Sequence, residues 1–188
     1  MKKLLGFFTA MIGLGLLLSG CGVAKLSPEV QKTFDNNVTM YTTRNMHYNF
    51  SRSRKVIDST NYQVGTLIPV NAKVQMKSVN AKQIVFLYKN QEIALRNIAK
   101  YSGVGINEIA TRYFSMNKVN LNKFTAKEQK AIRSAQLVPG MSKDAVIVSL
   151  GTPPAHVTPT LDMDQWKFWK NRWSTFLVNF EKGKTVVK

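Results

Sequence analysis

The chain is short of three things: it has one cysteine in 188 residues, two histidines, and 10 acidic residues against 27 basic ones. A single thiol excludes an intrachain disulfide and any metal centre built on a cysteine cluster. The two histidines, His47 and His156, have no serine, cysteine or paired carboxylate at a telling spacing, so they read as turn or surface residues rather than catalysts. Gly-x-Ser-x-Gly, a glycine-rich phosphate loop and His-Glu-x-x-His are all missing, which disfavours an enzyme. Asp162 and Asp164 lie two apart and offer at most a weak cation site; as strand neighbours they are a solvated edge, and no metal or cofactor is expected.

What is present is enough to fold. With 44% hydrophobic and 10% aromatic residues the chain can bury a core, and its length suits one domain or two small ones. The formal charge of +17 calls for an anionic partner or surroundings, with nucleic acid, anionic lipid and acidic polymer as the candidates.

The N-terminus narrows that choice. Met1-Lys2-Lys3 is followed by an apolar run from Leu4 to Leu18, broken by glycines and Thr9 and too short for an ordinary membrane span. It reads as an export signal over residues 1–20, the alternative being an anchor that is never cleaved. Leu18-Ser19-Gly20-Cys21 resembles the lipobox of bacterial lipoproteins. That resemblance implies a lipid on Cys21 and removal of the leader, and Gly22 at the next position suggests delivery to the periplasmic face of the outer membrane. Loss of Lys2 and Lys3 would leave a charge of about +15, so the basic balance belongs to the exported part. Export removes nucleic acid as a partner.

Residues 21–39 are polar and aperiodic and read as a tether, with a short helix after Pro28 or with half of the segment packed along the domain. Residues 40–124 form a strand-rich unit with a helical end, a small antiparallel sheet or barrel-like unit. Its strands are expected at 62–70, 72–79, 83–88 and 92–95, with Val74 and Met76 alternating against Lys73, Gln75 and Lys77. The stretch from Ile98 to Met116 places Ile106, Ile109, Ala110 and Tyr113 on one helical stripe. Its cadence resembles the helical half of LysM peptidoglycan-binding modules; two core helices joined by a glycine turn is the favoured reading.

Residues 125–188 carry the strongest local signals. Thr125-Ala126-Lys127-Glu128 is a capping box, Ser142 caps a second helix that ends at Gly151, and two alternating segments around Asn171-Arg172 lead to a last short strand. Gly140-Met141-Ser142, Leu150-Gly151-Thr152-Pro153, Trp166-Lys167-Phe168 and Leu177-Val178-Asn179-Phe180 resemble the SmpA/OmlA (BamE-like) lipoprotein domain. The resemblance implies an α+β chain in which the strand-rich unit precedes a BamE-like α/α/β/β/β domain. It also implies a non-enzymatic scaffold in outer-membrane assembly whose partners are outer-membrane or other envelope proteins. Residues 40–124 and the doubled aromatics Trp169 and Trp173 are additions to the small members of that family.

Two aromatic-basic segments are the candidate contact surfaces. Lys167, Trp169, Lys170, Arg172 and Trp173 are expected to meet a protein partner or phospholipid headgroups, the alternative being that all three tryptophans are core. Arg44, Arg52, Arg54 and Lys55 around Tyr48 and Phe50 form a second basic patch. A peptidoglycan- or anionic-glycan-binding lipoprotein is the alternative function.

Overall fold

A computed structural model describes residues 27–35, 38–51 and 53–186. Cys21, the expected leader, the start of the expected tether and Arg52 lie outside the described residues.

The first lobe is one mixed sheet. Its strands are β1 (Thr39–Thr42), β2 (Met46–Ser51), β3 (Arg54–Asp58), β4 (Thr66–Ile68), β5 (Lys73–Val79), β6 (Gln83–Tyr88), β7 (Gln91–Arg96) and β8 (Phe114–Ser115), in the order β4-β2-β3-β7-β6-β5-β1-β8. The first three strands were not among those expected, because Ser51–Lys55 is polar and only alternate positions such as Met46, Tyr48 and Ile57 face inward. The sheet is larger than expected and not wholly antiparallel: β3 pairs in parallel with β7, Val56 opposite Ala94.

Connectivity forces this sheet to curl. β1 and β2 stand five places apart, about 24 Å if the sheet were flat, yet Thr43–Asn45 can span at most about 15 Å. The curl is closed by Thr42, whose Oγ1 donates to the Pro69 carbonyl at 2.7 Å and accepts from the Ala72 N–H at 2.9 Å. Met46, Ile68, Met76, Ile84, Phe86, Ile93 and Leu95 fill the inside of the curl. Lys73, Gln75 and Lys77 alternate outward from Val74 and Met76, as the spacing predicts.

Three helices complete this lobe: α1 (Pro28–Asp35), α2 (Ala99–Ser102) and α3 (Ile106–Tyr113). The second half of the expected tether is therefore part of the fold. Phe34 of α1 is 2% exposed and meets Phe114 edge-on at 6.3 Å. Ile106, Ile109, Ala110 and Tyr113 of α3 are all buried, so the LysM-like stretch packs its helical stripe into the core.

The second lobe sets α4 (Ala126–Arg133) and α5 (Lys143–Leu150) on β9 (Gln165–Asn171), β10 (Ser174–Glu181) and β11 (Lys184–Val186), in the order β11-β10-β9. Its buried cluster includes Ile132, Met141, Val146, Trp166, Phe168 and Phe180, together with Val70 from the first lobe. The chain is thus α+β, with a large curled sheet and a helix pair on a small meander.

Candidate functional site

The seam between the lobes is built from amides. Asn45 donates through Nδ2 to the carbonyls of Ile132 at 2.6 Å and Ser149 at 3.0 Å, and its Oδ1 accepts from the Val70 N–H at 2.7 Å. Asn61 Nδ2 and Gln63 Nε2 both donate to the Leu150 carbonyl, which the end of α5 leaves unpaired. The Gln63 N–H donates to the carbonyls of Trp169 at 3.2 Å and Lys170 at 3.1 Å, so the outer edge of β9 lies along the first lobe.

Arg44 also belongs to the seam, which corrects its expected place in a surface patch. It is 9% exposed, donates to Thr152 Oγ1 and lies 5.2 Å from the Tyr113 ring centroid. Burial lowers the pKa of Arg44 and raises that of Tyr113, and the guanidinium stays charged. The backbone after β1 turns inward here to close the curl, and it carries Arg44 in with it.

The other described candidate contact residues lie on two hairpins, β2–β3 and β9–β10. Strand alternation buries Trp166 and Phe168 and turns Lys167 and Trp169 to the opposite face, where both are half-buried. Asn171 Oδ1 accepts from the N–H groups of Trp173 at 2.8 Å and Ser174 at 2.9 Å, an Asx turn that fixes the hairpin tip. Trp173 is 81% exposed there, with the Arg172 guanidinium 4.6 Å from its ring centroid. On the β2–β3 hairpin Phe50 is 70% exposed, with Lys55 Nζ 5.7 Å from its ring centroid and Arg54 exposed beyond it.

These hairpins meet. A cavity of about 410 Å3 is lined by His47, Phe50, Tyr62, Arg96, Arg172 and Trp173, among others. A larger trough of about 800 Å3 continues over the outer face of β3, β7 and β6, with Arg54 and Lys55 in its wall. A smaller cleft of about 190 Å3 opens at the seam, between Thr60, Tyr62, Tyr101, His156, Trp169 and Arg172. Of the expected contact residues, Trp169, Arg172, Trp173, Arg54 and Lys55 line this groove. Lys170 is exposed on the same hairpin, and Lys167 lines none of the three cavities.

The groove's charges are fixed by a few contacts. Arg96 holds Asp58 in a bidentate pair at 2.8 and 3.0 Å, while Arg54, Lys55 and Arg172 have no carboxylate within ion-pair distance among the described residues. Burial lowers the pKa of His47, so that wall is neutral at pH 7.

Tyr62, Tyr101, Thr60 and His156 are site residues that sequence reasoning missed. His156 lies 4.6 Å from the Tyr101 ring and 6.2 Å from the Trp169 ring, nearly parallel to the latter. Thr60 and Tyr62, Tyr101, and His156 come from three separate stretches of chain, and no spacing pattern joins them. Asp162 and Asp164 stay on the surface, with Asp164 3.7 Å from Lys143 Nζ. No group of three His, Cys, Asp or Glu converges among the described residues.

The chain matches no protein-family model, no curated protein and no solved structure.

Proposed function

We propose that the chain is a non-enzymatic lipoprotein, anchored through Cys21 to the periplasmic face of the outer membrane, that acts as a contact scaffold in envelope assembly. The observation that carries the reading is the meeting of two aromatic-basic segments about 120 residues apart in sequence. Phe50 and Lys55 from one hairpin, and Arg172 and Trp173 from another, line a single groove. Exposed tryptophan and arginine on rigid strands are the residue types that anchor protein interfaces, because they present large area at low entropic cost. The two-helix, three-strand order of residues 126–186 supports a BamE-like C-terminal domain.

The test places a photo-crosslinking amino acid at position 175, exposed beside Trp173, in cells, with palmitate labelling run in parallel. Crosslinks to outer-membrane or other envelope proteins, with label lost on Cys21→Ala, are the expected outcome. Label retained on Cys21→Ala removes the anchor, and an absence of envelope crosslinks removes the scaffold.

A further inference from the structure

The small cleft at the seam includes Thr60, Tyr62, Tyr101 and His156, side chains that the scaffold role does not use. Its walls are four rings, Tyr62, Tyr101, His156 and Trp169, and its remaining lining residues are Thr60 and Arg172. Thr60 is 4% exposed, and among the described residues neither its hydroxyl nor the buried indole N–H of Trp169 has a hydrogen-bond partner. A buried polar group left unpaired is costly, so one whose residue lines a cavity calls for an explanation. Thr60 lines the cleft, so a ligand bearing hydroxyls would satisfy its hydroxyl on rotation about χ1.

Charge gives the second property of the ligand. No carboxylate lines the cleft, whereas Arg172 does, and Lys100 Nζ sits 4.9 Å from the ring centroid of Tyr101. The neighbouring cavity shares Tyr62 and Arg172, and its carboxylate, Asp58, is already held by Arg96. Arg172 therefore faces the groove without a protein anion and can take a carboxylate through paired N–H bonds.

Size gives the third. At about 190 Å3 the cleft is smaller than the roughly 300–1,000 Å3 of drug-sized sites, and it adjoins the 410 Å3 cavity. It has room for one ring, with further units following into the groove. An aromatic acid would fill the ring slot but bring no hydroxyl to Thr60. A saturated sugar ring instead places C–H faces against the aromatic planes and hydroxyls at its edge.

We infer that this cleft binds a carboxylate-bearing sugar unit of an anionic glycan whose chain continues past Arg172 toward Trp173. The assignment rests on the envelope reading only for where such a glycan is met; the binding itself belongs to the purified protein.

The test titrates the full chain in detergent micelles, following tryptophan emission and heat. The probes are oligogalacturonate, a neutral chitooligosaccharide of equal length, and polyglutamate of equal charge. Oligogalacturonate should bind at least tenfold tighter than either of the other two. His156→Ala and Arg172→Ala should each weaken it at least tenfold, Trp169→Phe should remove most of the emission change, and Lys127→Ala on distant α4 should leave affinity unchanged. His156 and Arg172 are exposed, so their variants keep the fold, which circular dichroism checks. No binding, equal binding of the neutral glycan or of polyglutamate, or wild-type affinity in either alanine variant overturns the assignment. Crosslinks from position 175 in a chain that binds no oligogalacturonate would leave the scaffold standing and remove only the sugar site.

Discussion

The two lobes close their cores by different means. The curled sheet depends on partners far apart in the chain: Thr42 binds Pro69 and Ala72, and Asn45 ties the sheet's closing turn to α4 and α5. The helix pair on β9–β11 is held by local devices. Thr125 and Glu128 form a capping box, and Ser142 Oγ accepts from the Ala145 N–H at 3.3 Å. Glu128 also accepts from the Ser142 N–H at 2.7 Å, so one carboxylate caps the start of both helices. Losing a long-range tie should disturb both lobes, whereas losing a local cap should disturb one.

Asn45→Ala is the sharpest way to break that comparison. It strands the Val70 N–H and the Ser149 carbonyl in a buried seam, while the Ile132 carbonyl keeps the Ala135 N–H, at a cost of about 4 kcal/mol. Chemical denaturation should show a lower midpoint, and hydrogen exchange should rise in both lobes at once. Faster exchange confined to the first lobe would show that the lobes are not coupled through Asn45.

Glu128 gives the local counterpart, and its effect can be read from pH. Burial alone would raise its pKa, but hydrogen bonds from the backbone and side chains of Ser142 and Thr125 outweigh that and lower it to about 2. A carboxylate depressed in the folded state adds stability above its unfolded pKa of about 4.5, and that stability is lost as pH falls toward 2. The loss should amount to roughly 3 kcal/mol across that window and be absent in Glu128→Gln. A Gln variant that keeps the acid-labile slope would move the effect to another group.

Gly151 tests the seam from the other side. Its φ of +86° suits glycine, and an added Cβ would run into the Asn61 amide that pairs with Leu150. Gly151→Ala should cost about 2 kcal/mol, and Gly151→Ala combined with Asn61→Ala should cost less than the sum of the two. Additivity would show that the two residues do not collide.

The same division explains what could be read from the sequence. The helix pair, its caps and the β9–β10 alternation were legible because each is signalled within a few residues, as at Thr125–Glu128 or Trp166–Phe168. β1 to β3 were not, because their identity depends on pairing with strands later in the chain, β1 with β5 and β8, β2 with β4 and β3 with β7, and their outward positions are polar. The groove was half legible. Arg172, Trp173, Arg54 and Lys55 stood out as aromatic-basic clusters, but Thr60, Tyr101 and His156 acquire meaning only when the lobes meet. Arg44 was misplaced for the same reason: a cation beside aromatic residues looks like surface until the turn that carries it is seen to close a barrel-like sheet.

The smallest stability effect belongs to the residue expected to matter most for contact. Trp173 is 81% exposed at a tip that the Asn171 side chain holds through backbone N–H groups. Trp173→Ala removes neither those bonds nor any core packing, so the midpoint of unfolding should move by less than about 0.5 kcal/mol. Envelope crosslinks from a neighbouring probe at position 175 should nonetheless fall several-fold, since an exposed aromatic anchor contributes area only when a partner covers it. If crosslinking is unchanged in Trp173→Ala, the contact surface does not lie at the hairpin tip.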